Sequence, residues 1–255
     1  MRKRVGAAVY RFNEGQIKYL LVTQNPKVDL WILPGGHPEM DETLQQTAYR
    51  ETLEETGCEV KIQDQLGSFP FISHGKDYTN LIFLARLVSV KAGNTFQEIT
   101  WITADQLDRF PIPAEARFLL SKAQKLLVRR IEEADRAANS FLGERVSVTV
   151  NRPIGTQYSG IVYSKNYGYI DGVLGKDGDY LDAYLLGVNK PLASFEGKCV
   201  AIIKRTNDLD DKLIVVPPET LMDADTINNE THFVEQFFES ELILLESQFP
   251  ARPPS

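Results

Sequence analysis

Three glutamates stand close together at residues 51, 54 and 55, directly after Arg50. On a helix these positions are i, i+3 and i+4, so the three carboxylates share one face. Carboxylates this close repel one another unless a cation lies among them. Two interpretations are open: a solvated acidic face balanced by Arg50, or a site for a hard divalent cation such as Mg²⁺ or Mn²⁺, which prefers oxygen ligands.

The residues around the glutamates favour a helix that positions them. Leu44, Ala48 and Leu53 recur at helical spacing, and Thr43 is a suitable polar residue for the first turn. Gly57 stands where a helix commonly ends, because glycine adopts the left-handed conformation without steric penalty. The segment therefore predicts a helix that begins near Thr43 and stops near Gly57.

The charged and glycine positions of this segment follow a longer pattern, G-x5-E-x7-R-E-U-x-E-E-x-G-U, where U is an aliphatic residue. Gly36, Glu42, the Arg50-Glu51 pair, the Glu54-Glu55 pair and Gly57 match it, while Thr52 and Cys58 stand where larger aliphatic residues are usual. The pattern resembles the Nudix hydrolase box, a loop-helix-loop that holds metal against a diphosphate. The resemblance covers about residues 3–128.

The resemblance implies a role for each matching residue. Glu54 and Glu55 are the expected metal ligands, and Glu51 is either a ligand or the general base. Arg50 is expected to orient the glutamates as the fourth member of the catalytic set, and Gly36 to let the backbone approach the substrate closely. Mg²⁺ or Mn²⁺ is the implied cofactor.

Three residues outside the box are further candidates. Glu98, in "QEITW", stands where many members of the family carry another metal-binding or base glutamate, although a plain loop glutamate is the alternative. Phe71 and Tyr78 could stack on a nucleobase, or they could belong to the core like most aromatic residues of strands.

A second group of acidic residues lies in the C-terminal half, in "DGDYLD" and "NDLDDK". In an extended chain Asp177 and Asp179 point to one side, and Asp182 follows three residues later. The alternation of Asp208, Asp210 and Lys212 predicts one face of a strand. A calcium-binding EF-hand is excluded, because the glutamate at position twelve and the flanking helices are missing.

The stretch "NYGYIDGVLGKDGDYLD", with "DDKLIVVP" and a late "FVEQFFE", resembles the soluble inorganic pyrophosphatase family over roughly residues 143–240. The resemblance implies an OB-like β-barrel with Mg²⁺ held by aspartates. The implied metal ligands are Asp177, Asp179, Asp182 and Asp210. The implied phosphate contacts are Arg152, Tyr163, Tyr167 and Lys212.

Two departures separate this half from the pyrophosphatase pattern. Tyr180 stands where proline or glutamate is usual, and Phe237-Phe238 replaces a tyrosine-lysine pair of the last helix. Without that pair the site lacks one cation and one hydrogen-bond donor for a tetra-anionic ligand. Two hypotheses follow: a domain that consumes pyrophosphate released by the first half, or a catalytically weak module that binds a phosphorylated ligand and regulates the first half.

Composition and charge limit the function classes. A 255-residue chain with 43% hydrophobic and 25% charged residues is typical of globular proteins, and its net charge of −7 argues against nucleic acid as a partner. The expected partner is a small phosphorylated substrate, a nucleotide or pyrophosphate. No apolar run is long enough to cross a membrane, and the two cysteines, Cys58 and Cys199, lie in no paired motif, so a cytoplasmic location is expected.

The order of short β-rich runs and helical segments predicts two domains, residues 1–138 and 139–255. The first reads strands, helix, strands, helix, which is typical of an α/β/α sandwich with a mixed sheet. The second contains repeated short strands separated by Gly, Pro, Asn and Asp, which is typical of a barrel. The fold class is therefore α/β, with an OB-like barrel as the second domain.

Overall fold

The computed structural model describes residues 2–23, 30–73, 75–91 and 97–245. The chain divides into two compact units, residues 1–127 and 128–255. The longest helix of the described residues, Ala114–Ser140, runs across the division. The boundary predicted from the sequence, between residues 138 and 139, falls near the end of the same helix and stays a prediction.

The first unit contains a seven-stranded mixed sheet in the order β3-β2-β1-β6-β5, with β4 paired to β1 and β7 paired to β2. Strands β1 and β6 are parallel, and the other pairs are antiparallel. The strands are β1 (Arg2–Asn13), β2 (Gln16–Thr23), β3 (Trp31–Ile32), β4 (Gly35–Gly36), β5 (Cys58–Ser73), β6 (Lys76–Val90) and β7 (Glu98–Thr103).

Helices cover both faces of this sheet. Helix α1 (Leu44–Thr56) packs through Ala48 against Val5 and Phe83. Helix α2 (Ala114–Ser140) lies on the opposite face, where the Tyr19 hydroxyl donates a hydrogen bond of 3.0 Å to Gln124. Val5 and Tyr10 are an odd number of residues apart on β1, so their side chains lie on opposite faces of the sheet, and Tyr19 is the pairing partner of Tyr10. The helix that packs on Val5 and the helix that contacts Tyr19 therefore lie on different sides of the sheet. This arrangement confirms the predicted α/β/α sandwich.

The second unit contains a closed barrel of five strands, in the order β14-β12-β11-β8-β13 with β13 paired back to β14. Strand β15 extends the sheet beyond β13, and β9 and β10 form a separate small hairpin. The strands are β8 (Arg145–Arg152), β9 (Gln157–Tyr158), β10 (Ile161–Val162), β11 (Asn166–Leu174), β12 (Tyr180–Leu185), β13 (Ser194–Arg205), β14 (Lys212–Val216) and β15 (Ser240–Leu244). The predicted barrel is confirmed.

Alternation along the barrel strands divides the core of this unit into two clusters. In β12, Leu181, Ala183 and Leu185 belong to one cluster, and Tyr184 belongs to the other. The second cluster includes Ile227 and Val234 of helix α3 (Ala224–Glu235). Among the described residues, none of the helices is long and apolar enough to cross a membrane.

Candidate functional site

Helix α1 is capped at both ends around the three glutamates. Thr43 accepts a hydrogen bond from the backbone N–H of Gln46, and the Gln46 side chain accepts one from the backbone N–H of Thr43, which is a capping box. Gly57 closes the helix with φ 69° and donates its N–H to the Leu53 carbonyl. The predicted start and end of the helix are confirmed, so the glutamates lie in its last two turns.

Two of the glutamates contact the glycine loop that precedes the helix. The Glu51 carboxylate lies against Gly36, so closely that a methyl group on the Gly36 Cα would overlap with it. Glu55 accepts a hydrogen bond of 2.8 Å from the backbone N–H of Gly35 and one of 3.1 Å from Gln97. The loop itself is fixed by the pairing of β4 with Val5 and Gly6 of β1.

Arg50 lies between the acidic side chains. Its Nη1 is 2.9 Å from Glu51 and 3.1 Å from Glu54, while Nε and Nη2 bind Glu42 at 2.6 and 2.9 Å. The Arg50 hydrogen bonds lower the pKa of Glu42 to about 2. Glu51 and Glu54 therefore both bind Nη1 of Arg50, whereas Glu55 binds the backbone of the Gly35-Gly36 loop.

Burial and charge change the proton affinities beside the loop. Burial raises the pKa of Glu55, opposed by the Gly35 hydrogen bond and by the charge of Arg4. Arg4 donates a hydrogen bond to the Gly35 carbonyl, and burial lowers the pKa of Arg4 although Glu55 and Glu51 oppose the shift. The motif does not identify Arg4 or Gln97. The only indication of Gln97 in the sequence is that it immediately precedes Glu98, which was a candidate metal ligand or base.

Glu98 begins β7 opposite Thr23 of β2, and its side chain is exposed. Its neighbour Gln97 contacts Glu55, so the backbone at this point passes beside the site. The role of Glu98 as a metal ligand stays a prediction.

A cavity of about 560 Å³ lies on the α2 side of the sheet, and Arg4, Phe71 and Tyr78 are among its lining residues. The rings of Phe71 and Tyr78 are stacked, with centroids 5.0 Å apart and planes at 22°. His37, from the loop after Gly36, meets the Tyr78 ring edge-on at 5.4 Å. The two aromatic residues therefore line an open cavity beside the glycine loop rather than the interior of the core.

In the second unit, Asp182 is bound by Tyr167 and Lys212, two of the residues expected to contact phosphate. The Tyr167 hydroxyl donates a hydrogen bond of 2.5 Å to Asp182 Oδ2, and Lys212 Nζ is 3.0 Å from the same oxygen. Asp182 and Lys212 are register partners on β12 and β14, which places them on one face. Burial raises the pKa of Asp182, although Lys212 opposes the shift.

Asp210 lies between two cations, both from the barrel. Lys212 Nζ binds one carboxylate oxygen, and Arg205 Nη1 lies 3.3 Å from the other. Arg205 also binds Glu235 of α3 at 2.8 and 2.9 Å. Burial lowers the pKa of Lys212, but Asp210 and Asp182 outweigh this and raise it overall. The sequence pattern did not identify Arg205, and it assigned no role to Glu235, although Glu235 lies in "FVEQFFE".

The remaining aspartates are placed differently from the prediction. Asp177 and Asp179 lie in the turn between β11 and β12, where Asp177 accepts a hydrogen bond of 3.0 Å from the Asp179 backbone N–H. The prediction of an extended chain here is wrong, since the Gly-rich turn bends it. Strand β14 begins at Lys212, so the prediction that Asp208 and Asp210 belong to that strand is also wrong.

Arg152 lies among tyrosine rings. Its guanidinium carbon is 4.0 Å from the centroid of Tyr158 and 4.9 Å from that of Tyr167, and Nη1 donates a hydrogen bond of 3.1 Å to the Tyr163 hydroxyl. Tyr167 connects this group to Asp182, so the predicted phosphate contacts Arg152, Tyr163, Tyr167 and Lys212 form one connected group.

The phenylalanine pair follows α3 rather than lying on it, because the helix ends at Glu235. The ring of Phe238 covers the Arg205 guanidinium at 3.4 Å, while Phe237 is 64% exposed. Phe238 is therefore linked to the carboxylate cluster through Arg205, which its ring covers.

Comparison with known protein families agrees with this division of the chain. A family model of the NUDIX domain matches residues 2–123, and a family model of inorganic pyrophosphatase matches residues 133–244. The chain joins a NUDIX domain to an inorganic pyrophosphatase domain. Both families act on phosphoanhydride bonds, so the chain is a hydrolase of that class.

Several individual relatives are Nudix hydrolases by name. Nudix hydrolase 21, chloroplastic, of Arabidopsis thaliana is 27% identical over 61% of this chain and 70% of its own length. A putative 8-oxo-dGTP diphosphatase of Bacillus subtilis is 29% identical over 44% of this chain and 74% of its own. Among solved structures, a C. elegans Ap4A hydrolase binary complex matches at 26% identity and TM-score 0.45, covering 51% of this chain and 99% of that one.

The two domains differ in how well their carboxylates suit a divalent cation. In the NUDIX domain the donors are all carboxylate oxygens, and Gly36 leaves the space that Glu51 occupies, so the set fits a hard cation by its chemistry. In the pyrophosphatase domain Lys212 binds one oxygen of Asp182 and one of Asp210, and Arg205 lies at the second oxygen of Asp210, so buried side-chain cations compete with a metal for these oxygens. Among the residues that the structure describes, no three acidic, His or Cys side chains are grouped as a metal centre.

Proposed function

We propose that the NUDIX domain hydrolyses a diphosphate linkage in nucleoside triphosphates or nucleoside diphosphate derivatives, with Mg²⁺ or Mn²⁺ as cofactor. The observation that carries the proposal is the contact of Glu51 and Glu55 with the Gly35-Gly36 loop. It brings two carboxylates of one helix to backbone that a diphosphate can approach.

Each residue of this site has a separate role in the proposed reaction. Glu51, Glu54 and Glu55 would hold the cation, with Glu51 as a ligand or as the base that takes the proton of the attacking water. A bound divalent cation supplies neutralisation of the phosphate charge that develops in the transition state. Arg50 holds Glu51 and Glu54 at one nitrogen and thereby sets their orientation before the substrate binds.

The stacked rings of Phe71 and Tyr78 support a substrate with a nucleobase. They line the cavity beside the glycine loop, and Arg4 both lines this cavity and donates to the Gly35 carbonyl. If a nucleobase binds in this cavity, the phosphate groups of the nucleotide would extend past Arg4 towards the glutamates. A volume of about 560 Å³ is within the range of small-molecule sites.

A substrate panel with identification of the products tests the proposal. The panel contains nucleoside triphosphates, 8-oxo-dGTP, a dinucleoside polyphosphate and a nucleotide sugar, with excess Mg²⁺. We expect the intact protein to hydrolyse at least one of them and the Glu55→Gln variant to lose that activity. Absence of hydrolysis across the panel would contradict the proposal.

For the pyrophosphatase domain we propose the second of the two hypotheses, a catalytically weak module that binds a phosphorylated ligand. Lys212 binds one oxygen of Asp182 and one of Asp210, Arg205 lies at the second oxygen of Asp210, and the Phe238 ring covers Arg205. Coupled hydrolysis of released pyrophosphate is the competing function. Arg152, with its tyrosine partners, is the expected phosphate contact.

Phosphate release from pyrophosphate separates the two functions of this domain. The intact Glu55→Gln protein is used, so that the NUDIX site does not contribute. We expect little phosphate release with Mg²⁺ or Mn²⁺ present. Rapid release that disappears in the Asp177→Asn/Asp182→Asn variant would establish coupled hydrolysis instead.

We also propose a cytoplasmic location. The support is that Cys58 and Cys199 are both buried free thiols, as expected in a reducing compartment. Measurement of the location of the tagged full-length chain in cell fractions tests it.

A further inference from the structure

The Glu55 carboxylate of the NUDIX site is held by donors from two separate parts of the fold. Gln97, directly before β7, donates a hydrogen bond of 3.1 Å from Nε2 to Glu55 Oε1, and the backbone N–H of Gly35 donates one of 2.8 Å to Oε2. A carboxylate oxygen has two lone pairs, so each oxygen keeps one for a further partner. The two hydrogen bonds therefore fix the plane of the carboxylate and still leave both oxygens able to bind a cation.

Glu51 and Glu54 are held in a different way. Both lie at Nη1 of Arg50, at 2.9 and 3.1 Å. A divalent cation bound by these two carboxylates must compete with the positive charge of the guanidinium. The two hydrogen bonds to Glu55 come from neutral groups and bring no such competition. Glu55 is therefore the carboxylate of the cluster that is oriented without a side-chain cation in its hydrogen bonds.

Gln97 approaches Glu55 on the face of the sheet that bears α1. Ile99, two residues after Gln97, packs against a core cluster that contains Ala7 of β1. Ala7 shares the face of Val5, against which α1 packs. Alternate residues of an extended chain share a face, so the direction of Gln97 agrees with its contact with the α1 glutamate.

Glu98 starts on the opposite face. It is the register partner of Thr23 on β2, and Tyr19, four residues earlier on that strand, donates its hydroxyl hydrogen bond to Gln124 of α2. Residues four apart on a strand share a face, and so do residues paired across two strands, which places Glu98 on the α2 side. The chain thus presents a neutral amide, and not the neighbouring carboxylate, to Glu55.

We propose that Gln97 is a positioning residue for the divalent cation: its amide orients Glu55 as a metal ligand, and Glu98 takes no part in holding the cation. The inference rests on the proposed metal-dependent hydrolysis and adds the residue that orients one of its ligands. Hydrogen-bond partners of ligating groups commonly contribute about 10–100-fold to metal affinity, because they restrict the ligand to orientations that suit the cation.

Binding of Mn²⁺ without substrate tests this role. Calorimetry of the intact protein with Mn²⁺ alone needs no turnover. Gln97→Leu removes the amide at similar side-chain size, and we expect the affinity for Mn²⁺ to fall about tenfold. Glu98→Gln is the matched control, since it removes a charge at the next residue and should leave the affinity unchanged. Unchanged affinity in Gln97→Leu, or an equal loss in Glu98→Gln, would overturn the proposal.

A second variant separates the lost hydrogen bond from a disturbed fold. Gln97→Asn keeps the amide but is one methylene shorter, so its N–H groups no longer reach Glu55, and we expect the same loss of Mn²⁺ affinity as in Gln97→Leu. Hydrogen exchange of the α1 peptides without metal should match the wild type in both variants. Wild-type Mn²⁺ affinity in Gln97→Asn would show that the hydrogen bond is dispensable.

A double-mutant cycle shows whether Gln97 acts through Glu55. The Glu55→Gln and Gln97→Leu/Glu55→Gln proteins should bind Mn²⁺ equally, because the amide then has no carboxylate to orient. The same two proteins measure Mn²⁺ bound elsewhere in the chain, which is common to all variants. If Gln97→Leu weakens Mn²⁺ binding in the Glu55→Gln protein as much as in the wild type, Gln97 acts by another route and the assignment fails.

Kinetics separate this inference from the proposed reaction. For the best substrate of the panel, Gln97→Leu should raise the Mg²⁺ concentration for half-maximal rate about tenfold, and saturating Mg²⁺ should restore most of kcat. A loss of kcat that is the same at every Mg²⁺ concentration would contradict a positioning role. If nothing in the panel is hydrolysed but Mn²⁺ binding depends on both Gln97 and Glu55, the reaction fails and the positioning role stands. If hydrolysis is found and Gln97→Leu changes neither Mn²⁺ affinity nor the Mg²⁺ requirement, the reaction stands and the positioning role fails.

Discussion

The two carboxylate clusters of this chain differ in the side-chain cations that neutralise the repulsion between their carboxylates. In the NUDIX domain one partly exposed arginine, Arg50, bridges Glu51 and Glu54 at the surface of a helix. In the pyrophosphatase domain two buried cations, Lys212 and Arg205, are part of the barrel and bind Asp182 and Asp210. The first arrangement leaves Glu54 largely exposed, whereas in the second the buried cations bind both oxygens of Asp210 and one oxygen of Asp182.

The two clusters thus differ in the exposure of their cations: Arg50 is partly exposed, whereas Lys212 and Arg205 are buried. Glu54 is largely exposed, so its pair with Arg50 is worth under about 1 kcal/mol and is lost at little cost when a metal binds. A buried pair cannot be opened as easily, because removal of one partner leaves a desolvated charge. The NUDIX cluster is therefore suited to exchange its cation, and the barrel cluster is suited to keep it.

The largest effect is expected for Arg205→Met in the barrel. Arg205 binds Asp210 and Glu235, and its loss leaves the buried Glu235 carboxylate without its cation, while Asp210 keeps Lys212. We expect a decrease of about 3–5 kcal/mol in the free energy of unfolding of this domain. Hydrogen exchange of peptides from β13, β14 and α3 measures it in the intact protein.

Arg129→Met is the matched control for that experiment. Arg129 forms an exposed i,i+4 pair with Glu133 on α2, so its loss should change the free energy of unfolding by less than about 0.5 kcal/mol. Equal effects of the two substitutions would show that the barrel cations contribute no more than a surface pair.

Glu54→Gln and Glu55→Gln should each lower nucleotide hydrolysis at least about a hundredfold, equivalent to ~2.7 kcal/mol in the activation free energy. Each change deletes one charge assigned to the divalent cation. The measurement is kcat/KM with excess Mg²⁺ for the best substrate of the panel, with circular dichroism as the test of folding.

Glu59→Gln provides a control of the same chemistry outside the site, since Glu59 pairs with Lys91 on the sheet. Its activity should equal that of the wild type. Activity above a tenth of wild type in the Glu54 and Glu55 variants would remove these residues from the proposed role.

Gly36→Ala should lower kcat/KM about tenfold, or ~1.4 kcal/mol, by displacing the Glu51 carboxylate. The added methyl group would overlap with this carboxylate, so either the side chain or the loop must move. Gly175→Ala is the comparison, because a methyl group there meets its nearest atom at an ordinary 3.4 Å. Unchanged activity of Gly36→Ala would show that the contact of Glu51 with the loop is dispensable.

The smallest effect is expected for divalent cations on the barrel. Mg²⁺ should stabilise the NUDIX domain by mass action and leave hydrogen exchange of residues 175–185 and 208–216 unchanged, because Lys212 and Arg205 already neutralise the carboxylates. Protection of these peptides by Mg²⁺ that is lost in Asp177→Asn/Asp182→Asn would show that a metal displaces the side-chain cations.

The sequence by itself determined the features that depend on local spacing. The capped helix between Thr43 and Gly57, the shared face of the glutamates and the two families all follow from short-range patterns that the structure and the comparisons confirm. The strands of both domains were predictable for the same reason, since alternation and turn residues act within a few positions. The errors, at Asp177 and at Asp210, fall where a turn interrupts an apparently extended run.

Only the tertiary structure decided which distant residues share a site. Gln97 reaches Glu55, Arg205 reaches Glu235, and Asn80 lies between Arg4 and Phe69. Each of these contacts joins residues that are far apart in the sequence. It therefore depends on the register of the strands or on the packing of a helix. Sequence periodicity predicts which face of a strand a side chain lies on but not which neighbour it contacts there, and that neighbour decides whether a carboxylate is paired within the protein.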